Sequence, residues 1–218
     1  MKNYSSSEYF KDITKTEHYF GYKDFTLDED KKIYFLNQVH GNKVYIVDKD
    51  YDLKNQHDGD SVITTRKDFY VGVKTADCVP ILLSSVESTF VCAIHAGWRG
   101  TFYEVVKETI NILLKKYNCH PNDIVAAIGP SIGMCCYEVD KDLWLKFNKK
   151  FRLTKESFQL VDEKYYLNLQ NINKKLLNEN GVNKIDVITN CTKCDINFYS
   201  YRRDGSTENS QISIIKLN

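Results

Sequence analysis

No apolar run in these 218 residues approaches the length of a bilayer span, and the opening "MKNYSSSEYFKDITKT" lacks the apolar core of a secretion signal. A membrane protein is thereby set aside, and the expected location is the cytoplasm. Proline is scarce, at three residues, and no Pro/Gly/Ser-rich stretch, internal repeat or long block of one charge marks a linker. Residues 1–218 therefore read as a single domain, with 42% hydrophobic and 13% aromatic content to fill one core. Neither sign of charge dominates: 30 basic against 29 acidic residues leave +1, so no global field favours nucleic acid or an anionic membrane. Anion binding, if any, is local. Seven cysteines form an odd set in a chain without a secretion signal, which favours thiols or metal ligands over a disulfide framework.

What is present alternates between β-like runs and amphipathic stretches. "KIYFLNQVHG" and "NKVYIVD" read as two short strands around a Gly-Asn turn, and "SVITT", "FYVGVKTADC", "VPILLSS" and "STFVCAIHAG" continue the β pattern. From Trp98 the period changes: Phe102, Val105, Val106, Thr109, Ile110, Leu113, Leu114 and Tyr117 place one apolar stripe on a long helix. "IVAAIGPSIG" is a strand that breaks at Gly129-Pro130, "YEVDKDLWLKFNKKF" a helix with Val139, Leu143 and Phe147 inward, and "LQNINKKLLNENG" a helix capped by Gly181. "KIDVITNCT", "NFYSYRRDG" and "QISIIKL" close the chain as strands. The mixture lacks a strict βαβ rhythm, so the expected class is α+β, a layered α/β sandwich around a mixed sheet.

Three residues offer soft or borderline donors that could converge on a metal. His95 ends an apolar strand just before a glycine-rich helix entry, and alone it reads as a hydrogen-bonded core histidine. His40 in "NQVHG" and Cys78 in "KTADC" also close β-like runs. Two imidazoles and a thiolate suit zinc with one position open, though their spacing alone is not diagnostic. Asp60 and Asp77 are candidate carboxylate partners for a ligating imidazole.

"NQVHG", "DSVIT", "KTADCVPILL", "IHAGWRGT", "AAIGPSIGMCCYEV" and "FYSYRRDG" occur in order between Asn37 and Gly205, and together they resemble the YfiH/laccase-domain family of zinc-dependent purine nucleoside phosphorylases. The resemblance implies that His40, Cys78 and His95 bind zinc and that substrate lies between them and the "GPSIG" and "YRRDG" segments. It implies a purine nucleoside and phosphate as partners, with adenosine, inosine or methylthioadenosine cleaved by phosphorolysis and adenosine deaminated. Asn37, Gln38, Cys136, Tyr137 and Arg202 are the expected substrate contacts within those motifs.

Phosphorolysis requires an anion site and stabilisation of the departing purine. Arg99, beside glycines at an expected helix start, fits the first need. Arg202 and Arg203, if extended, would alternate faces, so one points inward. Deamination needs a proton shuttle, for which Glu138 and Asp60 are the candidates, with surface solvation and a turn or ligand-supporting role as their plainer readings. Cys135 and Cys136 read as small apolar fillers. Cys191 and Cys194 form a C-x-x-C without a second pair at metal spacing, so a structural role is expected. His57 and His120 read as solvent-exposed.

The chain departs from the family pattern after "YRRDG", where Glu208 and Asn209 stand in place of Gly and Arg. Two other activities stay open at this point. One is a zinc hydrolase editing peptidoglycan precursors; the other is copper-dependent phenol oxidation, which ranks lower because five scattered histidines are few for a multicopper centre.

Overall fold

Two runs with every residue buried, Val79–Ser85 (β7) and Val91–Ala96 (β8), pair antiparallel and form the middle of the molecule. A strand covered on both faces needs no polar alternation, which is why these segments are continuously apolar. The computed structural model describes residues 3–49, 53, 55–206 and 208–218. Around the central pair lies a six-stranded sheet in the order β13-β9-β7-β8-β5-β4, completed by Val44–Ile46 (β4), Ser61–Thr64 (β5), Ile124–Ile128 (β9) and Lys184–Val187 (β13). Its outer pairs, β4 with β5 and β9 with β13, are parallel and the inner ones antiparallel.

One face of this sheet meets a five-stranded sheet of order β1-β2-β14-β6-β3, made of Tyr4–Ser5 (β1), Thr16–Gly21 (β2), Ile33–Phe35 (β3), Tyr70–Thr75 (β6) and Gln211–Leu217 (β14). Phe20, Val71, Val73 and Ile215 interleave there with Val62, Leu82, Ala93 and Ala127. The other face, through Ile63, Ile81, Leu83, Ile94 and Ala126, packs under helices Val105–Tyr117 (α3), Lys141–Phe151 (α4) and Leu169–Glu179 (α5). A three-stranded sheet of Glu138–Val139 (β10), Phe158–Val161 (β11) and Lys164–Leu167 (β12) lies beside α4, and Glu8–Ile13 (α1) packs on β9. The expected layered mixed α/β sandwich is therefore found, with three sheets in place of one.

Four local expectations are corrected. The runs "KIYFLNQVHG" and "NKVYIVD" do not form neighbouring strands: β3 pairs with β6 and β4 with β5, in different sheets. Between them, His40 takes a left-handed backbone (φ 57) while the Asp60 carboxylate accepts the amides of His40 and Gly41. The long helix from Trp98 is divided into Trp98–Phe102 (α2) and α3, because Glu104 is left-handed (φ 58) and the Tyr103 carbonyl turns out to accept the Asn42 amide. Tyr137 to Asp140 stand outside α4, whose first turn is capped by Asp140 through the Leu143 amide at 2.6 Å. "NFYSYRRDG" is not a strand: Tyr201–Asp204 (α6) is a single helical turn capped by the Ser200 hydroxyl. Gly181 does follow α5 in the left-handed conformation (φ 85) expected of a helix stop.

Candidate active site

His40, Cys78 and His95 reach one point from three separate segments. His40 stands on the crossing between the two large sheets, Cys78 directly precedes β7, and His95 lies on β8 opposite Pro80. One donor atom from each lies within 4.8 Å of the others, and the His40 and His95 rings meet edge to face at 4.8 Å between centroids. Gly97 lies against them: a β-carbon there would come to 3.0 Å from the Cys78 sulfur and 3.3 Å from the His40 ring.

Asp60 organises the trio. Its buried carboxylate accepts the His95 Nδ1 at 2.8 Å, the His40 amide at 2.9 Å and the Gly41 amide at 2.6 Å. Burial alone would raise its pKa, yet the His95 ring and the Gly41 and His40 amides hold it below the usual carboxylate range. With Nδ1 committed to Asp60, His95 is left with Nε2 as its donor. Burial likewise opposes ionisation of Cys78 and His95, but each stabilises the other's charge. With His40 aiding the thiolate and Asp60 the imidazolium, the Cys78 thiol is brought down to about 6 and His95 up to about 9. A thiol lowered in pKa, two imidazoles and a carboxylate behind one of them make a donor set compatible with a bound metal ion. The other described histidines are remote: His18 packs on Phe10, His57 stacks on Tyr45 and His120 caps a turn at Pro121–Asp123.

His40 and Cys78 open into a cleft of about 630 Å³, with His95 buried behind them. Trp98, Arg99, Tyr137, Val139, Leu143 and Arg202 line it together with His40, Cys78 and Asp77. Arg99 stacks its guanidinium on Trp98 at 4.4 Å. Arg202 lies over the Tyr137 ring at 5.4 Å and donates to the Glu138 carbonyl at 2.9 Å. The Tyr137 phenol is pushed up by burial and then by the Cys78 charge, so it stays protonated. Asp77, left-handed at φ 86, gathers the surrounding loops: its carboxylate accepts the Thr192 hydroxyl and the Arg202 amide, each at 2.7 Å, and its carbonyl accepts the Ile132 amide.

Of the expected contacts, Arg99, Tyr137, Glu138 and Arg202 line the cleft and four other residues do not. Asn37 is tied to Asp58 at 2.6 Å, and Gln38 bonds the Lys74 backbone through both ends of its amide. Cys136 turns away toward Cys194 at 3.4 Å. Asp60 is fully enclosed, its carboxylate taken up by the His95 ring and the amides of His40 and Gly41. Glu138 is exposed and pairs with Lys164 at 3.2 Å. Arg203 points away from the cleft and donates to the carbonyls of Thr192, Lys193 and Phe198. One arginine of the pair does face inward, but through a helical turn rather than through strand alternation. Two further readings change. His57 is half-buried against Tyr45, and the C-x-x-C of Cys191 and Cys194 does meet a second pair, Cys135 and Cys136. Glu208 and Asn209 are exposed and do not line the cleft, and Thr207 beside them lies outside the described residues. Trp98 and Val139 were missed as cleft residues because each also fits a helical stripe.

The profile of the family described as "Multi-copper polyphenol oxidoreductase laccase" matches residues 18–218. A protein of Aquifex aeolicus named purine nucleoside phosphorylase is 37% identical over 197 residues, covering 90% of this chain and 87% of its own. A Clostridium acetobutylicum protein of the same name is 32% identical over 85% of this chain and 77% of its own. Among solved structures, the hypothetical protein YfiH of Bacillus licheniformis superposes with a TM-score of 0.84 at 25% identity, covering 97% of this chain and 94% of that one.

Proposed function

The chain belongs to the multi-copper polyphenol oxidoreductase laccase family, and from that membership we propose that it is a purine nucleoside phosphorylase acting on adenosine, inosine or methylthioadenosine. The supporting observation is a single cleft that combines an N/S donor trio, two guanidinium groups and aromatic and aliphatic walls. In phosphorolysis a phosphate oxygen bonds to C1′ of the ribose as the C1′–N9 bond breaks. The purine leaves with the electron pair and takes up a proton.

Arg99 and Arg202 both supply charge to the cleft, but Arg202 is anchored by the Glu138 carbonyl while Arg99, among the described residues, stacks on Trp98 alone. Arg99 is therefore assigned to phosphate, which its planar fork can grip through two oxygens. Tyr137, Leu143 and Val139 offer the flat and apolar surfaces that a purine base requires. Asp77 has its oxygens engaged, Asp140 caps α4, and Glu138 stands at the exposed edge, so Glu138 is assigned to proton transfer. His40, Cys78 and His95 would hold a zinc ion, which when bound supplies a Lewis acid that polarises a substrate atom. A single trio of this kind suits zinc better than the several copper ions of phenol oxidation. Adenosine deamination would draw on the same metal and the same Glu138.

Initial rates of purine release from inosine, measured against phosphate concentration, test the reading. The wild type should depend on phosphate. Arg99→Ala should raise the phosphate requirement about tenfold or more, as expected for loss of a charge-assisted contact, and Arg99→Lys should fall between. Identical phosphate dependence in all three would remove Arg99 from the anion site and pass the role to Arg202. Release without phosphate would overturn phosphorolysis in favour of hydrolysis.

A further inference from the structure

Four cysteines that are scattered in sequence meet near the cleft: the adjacent pair Cys135 and Cys136 and the C-x-x-C pair Cys191 and Cys194. Every sulfur lies within 4.8 Å of the other three, with Cys135 and Cys136 at 3.8 Å and 3.4 Å from Cys194. Four sulfurs at the Zn–S distance of about 2.3 Å on a tetrahedron stand about 3.8 Å apart. A disulfide would need about 2.05 Å, so the observed spacing is that of shared ligands and not of a bond.

The surroundings are built to hold sulfur. The Gly133 amide donates to the Cys191 sulfur at 3.2 Å, an interaction that favours thiolate. A β-carbon on Gly133 would come to 3.2 Å from both the Cys135 sulfur and the Cys191 β-carbon, so a side chain would crowd the cluster. Ser131 and Cys191 form an isolated parallel bridge, with the Thr192 amide donating to the Ser131 carbonyl at 3.0 Å, and this aligns the two loops. Among the described residues no imidazole or carboxylate joins the group, so its donors are uniformly soft and all four corners are protein.

We propose that Cys135, Cys136, Cys191 and Cys194 bind one zinc ion as a closed tetrathiolate site, separate from the His40, Cys78 and His95 trio. The ion ties two cleft walls together. Cys136 directly precedes Tyr137 and Glu138, while the loop between Cys191 and Phe198 receives Arg203, the neighbour of Arg202. Binding therefore fixes the distance across which Arg202 meets the Tyr137 ring and the Glu138 carbonyl. It releases the thiol protons to solvent and changes no oxidation state.

The test is metal content by mass spectrometry of the full chain, purified under reducing conditions without chelator. The wild type should carry two zinc ions per chain, and Cys135→Ser and Cys194→Ser one each. Cys78→Ala should lose the other ion, so a failed trio and a failed cluster give different counts. Should the serine variants not fold, Cys194→His should keep the second ion. Cobalt(II) reconstitution of the wild type should then give the intense visible bands and sulfur-to-cobalt charge transfer of a four-sulfur tetrahedron, weakened in Cys194→His. Zinc content unchanged in Cys135→Ser and Cys194→Ser, iron in place of zinc, or a Cys136–Cys194 disulfide in the freshly purified wild type would each overturn the proposal.

Discussion

A neutral amide in place of the Asp60 carboxylate would present one acceptor oxygen to a position where the His95 ring and the amides of His40 and Gly41 all donate. Asp60→Asn should therefore leave a donor unpaired, loosen the His40 turn and lower the basicity of His95. Removing a carboxylate behind a ligating histidine costs about 10- to 100-fold in metal affinity. Competition with a zinc chelator should show a loss of that size at the trio, with far-ultraviolet circular dichroism unchanged. Loss of secondary structure instead would make Asp60 a folding residue. At this scale the three candidate ligands are singled out because each closes a β-like run and stands in a family motif; position alone does not decide them, and the structure brings them together. The supporting network was not legible. Asn37 and Gln38 share a motif with His40, but adjacency in sequence does not decide which way a side chain turns on a crossing between sheets. Asp58 and the Lys74 backbone, which claim those two side chains, lie 21 and 36 residues away.

Elements were readable where burial is continuous. β7 and β8 follow from apolar runs, and the stripe of α3 and α5 from their period. The boundaries set by single backbone conformations were not, because nothing in "TFYEVV" announces that Glu104 is left-handed. There the helix break is enforced from outside, by Asn42 on the Tyr103 carbonyl and by Lys150 paired with Glu104 at 2.9 Å. The corner between β8 and α2 is equally tight. At Gly97, φ −69 would accept any residue, but the space would not, with the Cys78 sulfur 3.0 Å from a new β-carbon. Gly97→Ala should push Cys78 and His40 apart by tenths of an ångström and weaken zinc binding about tenfold. Its effect on the unfolding free energy from urea titration should stay under about 1 kcal/mol, because the packed core is untouched. Equal zinc affinity in the two proteins would show that the corner relaxes without cost.

Across the molecule, acid stability should depend on one core histidine. His18, 1% exposed between Phe10 and Phe20, accepts the Ser7 amide on Nε2, and burial, with Lys11 adding to it, lowers its pKa to about 4. The folded chain keeps it neutral while the unfolded chain protonates it near 6.5. Its contribution is thus fully present above about pH 6.5 and is lost as pH falls toward 4, amounting to about 3 kcal/mol over that window. Urea unfolding at pH 7 and pH 4.5 should show the wild type losing about 2–3 kcal/mol more than His18→Gln. Parallel losses would mean that His18 is charged in the folded protein.

The position of β14 bears on how the protein is made. This strand lies between β2 and β6 and completes the five-stranded sheet, yet about 190 residues separate its first residue from the end of β2. At translation speeds of about 5–20 residues per second, β2 leaves the ribosome roughly ten to forty seconds before its partner is synthesised. During that interval Phe20 and its neighbours have only the two-residue β1 to pair with. The layer that covers the central sheet can close only after β14 has been synthesised, so a nascent chain of this kind passes a long period with an open apolar edge.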